Sequence, residues 1–103
     1  MALQQNYYPL WFKSFRLPNT SGHRNAIQLS LKQKQTLPLE IVAECKARNQ
    51  KPTDLLTECK RDYFTKFPEG TKFLLKAKLT DREGRTLFFY SSYRWKALKI
   101  VKS

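Results

Sequence analysis

Apolar and polar side chains alternate along residues 71–80, which is the clearest pattern in the chain. A period of two is typical of a β-strand, because successive side chains of a strand point to opposite faces of a sheet. The apolar face of this predicted strand carries Phe73, Leu75, Ala77 and Leu79. The opposite face is cationic and carries Lys72, Lys76 and Lys78. The strand therefore presents ammonium groups to solvent along its length.

The aromatic and basic run at residues 88–96 is predicted to fold back beside this strand as a hairpin. A three-residue loop ending at Gly84 suits a bulged turn, since glycine adopts left-handed backbone without steric cost. In that register Lys78 lies opposite Phe88. A four-residue loop would shift the partners by one and exchange the two faces of the second strand. Because three large rings follow one another in the run, both registers place a ring beside the lysines.

Four other segments show strand signals. Residues 27–32 alternate between apolar and polar side chains, and residues 37–48 carry the longest alternation in the chain. Residues 10–15 are apolar and aromatic, which suits either a short strand or a helical turn. Leu98 and Ile100 suit one more short strand near the C-terminal end.

The period changes after Pro52, where apolar residues become spaced three and four apart. This spacing predicts an amphipathic helix over about residues 53–67. Thr53 or Asp54 can cap its first amides, and Pro68 ends it. Its apolar stripe carries Leu56, Cys59, Tyr63 and Phe67.

The order of these elements predicts one small α+β domain that covers residues 1–103. We expect a curved antiparallel sheet or a partly open barrel of four to six strands, with one helix against it. The chain shows no internal repeat and no linker.

The charge of the chain points to a candidate function. The chain has 20 Lys and Arg against 8 Asp and Glu, a net charge of +12. The excess is uneven, because residues 71–103 contain nine basic and two acidic side chains. A field of this sign attracts phosphates, anionic lipids or acidic proteins.

Several classes of function lack a sequence signal. The two cysteines, Cys45 and Cys59, are predicted to be small buried apolar residues, and a single histidine leaves too few soft ligands for zinc. We expect no cofactor and no metal. The N-terminal residues lack the pattern of a secretory signal, and no apolar stretch reaches the roughly 20 residues of a membrane span. A soluble, cytoplasmic protein without a membrane partner is expected.

An enzyme is the weakest of the remaining interpretations. Catalysis by a nucleophile and a base usually needs a histidine with an orienting partner, and His23 lies in a loop rich in turn-forming residues. A small basic ribonuclease would use His23, Lys76, Tyr90 and Arg94 to stabilise charge on a phosphate. We therefore predict no catalytic residue and do not expect the protein to be an enzyme.

The interleaving of cations and rings favours binding of nucleic acid, with single-stranded RNA or DNA as the expected partner. Cations would contact the backbone phosphates and rings would stack on bases. The candidate binding residues are Lys72, Lys76, Lys78, Arg82, Arg85, Phe88, Tyr90, Tyr93, Arg94 and Lys96. The alternative is a protein-interaction module, such as an accessory protein of a phage or mobile element, that docks on an acidic protein. Such a module would be distinguished by an exposed apolar patch formed by residues 1–18.

Overall fold

The computed structural model describes residues 5–16, 27–81 and 86–102. Within these ranges the chain forms six strands, two helices and one 3-10 turn. The strands are β1 (Tyr8–Arg16), β2 (Ile27–Leu31), β3 (Thr57–Glu58), β4 (Lys72–Asp81), β5 (Leu87–Tyr90) and β6 (Lys99–Val101). The helices are α1 (Leu39–Ala47) and α2 (Asp62–Thr65), and the 3-10 turn is Pro52–Asp54.

The sheet is organised around β4, which uses both of its edges. One edge pairs antiparallel with β1, and β1 pairs in turn with β2. The other edge of β4 pairs antiparallel with β6 near its start and with β5 near its end. β3 lies parallel to β5, and a bridge between Ser30 of β2 and Leu56 beside β3 brings the two ends of the sheet together. The result is a nearly closed, barrel-like sheet.

The core fills the inside of this barrel with alternate residues of its strands. Phe12, Phe73 and Phe89 are completely buried, and the rings of Phe12 and Phe89 meet edge to face with centres 5.5 Å apart. Tyr63 of α2 closes one side, with its ring centre 4.7 Å from that of Phe73. Aromatic contacts of this kind add about 0.5–1.5 kcal/mol each to the free energy gained by burial.

The predicted fold class is confirmed, since the chain forms a small α+β domain with a barrel-like sheet. The sheet is mixed rather than purely antiparallel, because β3 and β5 run parallel. Within the residues that the structure describes, no helix is long and apolar enough to cross a membrane.

The prediction of a strand over residues 37–48 is wrong, because α1 occupies most of this segment. Ile41 and Cys45 are its buried residues, four apart, as expected of one face of a helix. Ala43, which would share the apolar face of the predicted strand with them, is exposed instead. The segment contains two alanines, two leucines, two glutamates, one lysine and one arginine, all strong helix formers, and this preference outweighs the alternation.

The long helix predicted over residues 53–67 is also wrong. The 3-10 turn, β3 and the single turn of α2 share this segment. The backbone is diverted because the carbonyls of Leu56 and Glu58 accept hydrogen bonds from the amides of Phe89 (3.0 Å) and Ser91 (2.8 Å). Pairing with β5 thus overrides the helical spacing, although Tyr63 still packs into the core.

The hairpin of β4 and β5 exists, but its register differs from the predicted one. Asp81 lies opposite Leu87 and Lys78 opposite Tyr90, so the connection spans residues 82–86. Each residue of β4 lies opposite a residue two positions later than the register of the three-residue loop predicts. A shift of two positions leaves each side chain on its predicted face of the sheet. β5 ends at Tyr90, whereas the predicted strand continued to residue 96. The predictions of strands at residues 27–32 and near Ile100 are confirmed by β2 and β6.

The two cysteines lie in apolar surroundings, as expected. Cys45 is buried on α1 and Cys59 is half-buried. Burial raises the pKa of the Cys59 thiol to about 12 and also raises that of Cys45. Both thiols are therefore protonated at neutral pH and make poor nucleophiles.

Two phenylalanines of β1 test which side chains of this strand face the core and which face outward. Phe12→Ala is expected to lower the free energy of unfolding by about 3–5 kcal/mol, because it opens a cavity among buried rings. Phe15→Ala removes the same ring from the half-buried opposite face, so we expect less than half that loss. Urea denaturation of both variants measures the difference. Equal losses would contradict the register of β1.

Candidate nucleic-acid interface

The alternation of β1 and β4 creates an outer face, which we define as the side of the sheet turned away from the core. On β4 this face carries Lys72, Leu74, Lys76 and Lys78. The register with β1 sets Lys13 opposite Lys72, Trp11 opposite Leu74 and Pro9 opposite Lys76. Since Tyr8 pairs with Ala77, the preceding Tyr7 lies beside Lys78. Cations and rings are thus adjacent across two strands.

The densest part of the outer face is a ring–lysine cluster made of Tyr7, Trp95, Lys76 and Lys78. The Nζ atom of Lys76 lies 5.0 Å from the centre of the Trp95 ring. The Nζ atom of Lys78 lies 5.1 Å from the centre of the Tyr7 ring. The two rings meet edge to face with centres 4.9 Å apart. Each cation–ring contact contributes about 0.5–1 kcal/mol at an exposed position, so the lysines are held over the rings without being withdrawn from solvent.

Trp95 reaches this cluster because residues 91–98 leave the sheet and return to it. The hydroxyl of Ser91 donates to the carbonyl of Lys76 at 2.8 Å, and the amide of Leu98 donates to the carbonyl of Leu74 at 2.7 Å. Between these anchors the amide of Ala97 donates to the hydroxyl of Tyr63 at 2.7 Å. The loop is therefore fastened at three points, and Trp95 lies over the middle of β4.

The cluster has no acidic counterpart among the described residues. No carboxylate in residues 5–16, 27–81 or 86–102 lies within 4.0 Å of the ammonium groups of Lys76 or Lys78. An acidic side chain does occur nearby, because Tyr90 lies between Lys78 on β4 and Glu58 on β3. Across the sheet, Tyr90 thus separates the lysines of β4 from this acidic side chain.

The structure brings together some of the predicted binding residues and separates others. Lys76, Lys78 and Tyr90 are neighbours, and Lys72 lies farther along the same face. Phe88 is half-buried and lines a depression of about 400 Å³ beside Leu56. Lys96 lines another depression, near Phe67. The remaining predicted residues Arg82 and Arg85, and the suspect His23, lie outside the described residues.

Tyr93 and Arg94 form a separate pair in the loop that carries Trp95. The guanidinium carbon of Arg94 lies 5.6 Å from the centre of the Tyr93 ring, and its Nε donates to the tyrosine hydroxyl at 3.2 Å. Tyr93 is 63% exposed, which leaves one face of its ring open to solvent. This pair offers a cation and a flat ring together.

Three residues of the outer face were missed by sequence reasoning, namely Tyr7, Trp95 and Lys13. Trp95 belongs to the aromatic and basic run, which was a usable signal. Tyr7 and Lys13 belong to β1, and only the pairing of β1 with β4 shows that they adjoin the lysines. Within the described part of the chain, no group of three or more His, Cys, Asp or Glu side chains could hold a metal ion.

No known protein family, curated protein or solved structure matches this chain. Its function must therefore be inferred from the chemistry of the ring–lysine cluster and of the outer face around it.

The contact between Tyr7 and Trp95 can be tested by fluorescence. Trp11→Phe leaves Trp95 as the single tryptophan, and Trp95 is 36% exposed. Adding Tyr7→Ala removes the neighbouring ring, so acrylamide should quench Trp95 more efficiently. Tyr8→Phe serves as the control, because it keeps a ring one position along on the opposite face. An unchanged quenching constant in the Tyr7→Ala variant would show that Tyr7 does not cover Trp95.

Proposed function

We propose that this protein binds single-stranded nucleic acid, RNA or DNA, on the outer face of its sheet. The observation that carries the proposal is the ring–lysine cluster, in which two ammonium groups and two aromatic rings share one surface. Proteins that bind single strands combine a basic track for the backbone with rings on which bases stack.

The cations of the outer face suit a chain of phosphates. Lys13, Lys72, Lys76 and Lys78 lie on two adjacent strands, and none of them has an ion-pair partner among the described residues. From Lys72 to Lys78 the strand rises by about 20 Å, which is long enough to follow several nucleotides. Each phosphate that a lysine neutralises releases a condensed counterion, so affinity falls as salt rises.

The rings favour a single strand over a duplex, because they can stack on unpaired bases. Trp95, Tyr90 and Tyr93 are each at least partly exposed, and a stacked base contributes about 1–3 kcal/mol by alanine substitution. Reading a duplex in its major groove commonly needs a helix with basic and amide side chains. α1 carries Glu40, Glu44 and Lys46 on nine residues, a composition that does not favour this mode.

The two alternatives receive less support. The acidic-partner module predicted an apolar patch from residues 1–18, but Leu10 and Phe12 are buried in the sheet, and none of residues 5–16 is an exposed large apolar side chain. Of the four candidate ribonuclease residues, Lys76 and Tyr90 are neighbours on the outer face, Arg94 lies against Tyr93, and His23 lies outside the described residues, so no described histidine stands beside them. The proposal implies an intracellular, cytoplasmic location, where single-stranded nucleic acid is available.

Charge reversal on β4 tests the phosphate contacts. Lys76→Glu combined with Lys78→Glu should weaken binding of a single-stranded oligonucleotide more than a hundredfold at low salt, because two attractions become repulsions. The slope of log affinity against log salt should fall by about 1.4, at about 0.7 for each lost phosphate contact. Fluorescence anisotropy at several salt concentrations measures both quantities.

Lys46→Glu combined with Lys51→Glu is the matched control, since it changes net charge equally at exposed positions off the sheet. We expect it to weaken binding only slightly. Equal losses in the two double variants would show that net charge, and not the outer face, drives binding. The absence of binding to every oligonucleotide would overturn the proposal in favour of an acidic protein partner, and cleavage of the probe would support the ribonuclease.

Removal of a ring should have a different signature from removal of charge. Trp95→Ala or Tyr90→Ala is expected to weaken binding by about 1–3 kcal/mol for each stacked base. The salt slope should stay unchanged, because no cation is lost. A change in slope without a change in affinity at low salt would contradict the stacking role.

A further inference from the structure

A second basic feature lies at the far end of the outer face from the ring–lysine cluster. It is an open depression of about 440 Å³, which we call the lysine depression. Four of its lining residues are cationic, namely Lys13, Lys32, Lys34 and Lys72. One carboxylate, that of Asp54, also lines it, so four positive charges against one negative charge leave +3. Hydroxyl groups of Ser30 and Thr53 supply neutral donors.

The fold brings like charges together at this depression. Lys13 and Lys72 are direct cross-strand partners of β1 and β4. Side chains at such positions have Cβ atoms about 4.5–5.5 Å apart, and like charges there are destabilising. Among the described residues no carboxylate, Asp54 included, lies within 4.0 Å of any of the four ammonium groups. The arrangement is one that an added anion would relieve.

The turn after β2 fixes the other two lysines. Lys34 has a φ of 63°, a left-handed conformation that is uncommon for a residue with a Cβ atom. The side chain of Gln35 holds this turn against β1. Its amide donates to the carbonyls of Trp11 and Lys32, both at 2.8 Å, and its oxygen accepts from the amide of Trp11 at 3.0 Å. Lys32 and Lys34 therefore start from a fixed backbone at the wall of the depression.

We propose that the lysine depression binds the terminal phosphate monoester of a nucleic-acid strand. This inference rests on the proposed function, because the strand would lie along the outer face and end in the depression. A phosphodiester within a strand carries one negative charge, whereas a monoester such as that of phosphoserine carries about 1.5–2 at pH 7. Converging ammonium groups discriminate in favour of the more highly charged group. The depression, unlike the ring–lysine cluster, has no exposed aromatic ring in its lining.

The experiment compares one single-stranded sequence carrying a 5′-phosphate, a 3′-phosphate or hydroxyl groups at both ends. Wild-type protein should bind one phosphorylated form about tenfold more tightly than the unphosphorylated strand, which corresponds to about 1.4 kcal/mol. Which end is preferred gives the direction of the strand on the sheet. Inorganic phosphate alone, titrated as a competitor at constant ionic strength, should weaken binding of the preferred phosphorylated strand more than binding of the unphosphorylated strand, and so reduce that preference.

Lys13→Met combined with Lys72→Met should abolish the preference, so that all three strands bind with equal affinity. Folding should not suffer, since the substitution removes a like-charge pair and keeps the apolar stems. Lys34→Gly is an independent variant, because glycine removes a cation and fits the left-handed backbone. It should reduce the preference without lowering the thermal midpoint. Lys46→Met combined with Lys51→Met, the matched control, should retain the preference in full.

The outcomes separate the two proposals. Equal binding of all three strands by the wild-type protein would overturn the role of the lysine depression and leave the proposed function intact. A preference that survives in both Lys13→Met/Lys72→Met and Lys34→Gly would overturn it too, since the phosphate would then bind elsewhere. Failure of every strand to bind would overturn the proposed function and this inference together.

Discussion

The alternation of β4 is the constraint on which the rest of the structure depends. Its odd-numbered residues from Phe73 to Leu79 must face inward, because they make up the middle of the core. The lysines between them must then face outward, since an unpaired ammonium group cannot be buried at an acceptable cost in free energy. β4 also pairs along both edges, with β1 on one side and with β5 and β6 on the other. One strand thus fixes the core, the sheet and the basic surface together.

The sequence predicts elements whose signal is local and misses those that depend on distant partners. β2, β4 and the hairpin with β5 follow from alternation and turn residues. α1 was mistaken for a strand because Ile41 and Cys45 fit a period of two as well as a period of four. The segment around β3 was mistaken for a helix because its strand exists only through hydrogen bonds from Phe89 and Ser91. Such pairing lies far along the chain and leaves no local pattern.

The sequence likewise predicted some residues of the candidate interface and missed others. Lys76, Lys78 and Tyr90 could be placed on one face from sequence, because parity survives an error of two residues in the hairpin register. Tyr7 and Lys13 could not, since their positions depend on β1 pairing with β4, more than 50 residues away in sequence. Phe88, a predicted stacking residue, is half-buried and lines the depression beside Leu56, a neighbour that the hairpin pattern alone did not predict. Long-range register, more than residue type, limits what the sequence reveals.

Chain connectivity explains why an aromatic ring lies over the lysines. β5 leaves the edge of β4 at Lys78, and β6 joins the same edge at Leu74, a separation of about 13 Å along the strand. The eight residues 91–98 span this gap, although half as many in extended form would suffice. The surplus chain must bulge away from the sheet, because the barrel interior beneath is filled by Phe73, Leu75 and Ala77. A tryptophan near the middle of that bulge has the outer face as its nearest apolar surface, and the lysine stems of β4 line it. The position of Trp95 in the ring–lysine cluster is therefore a consequence of where β5 and β6 attach to β4.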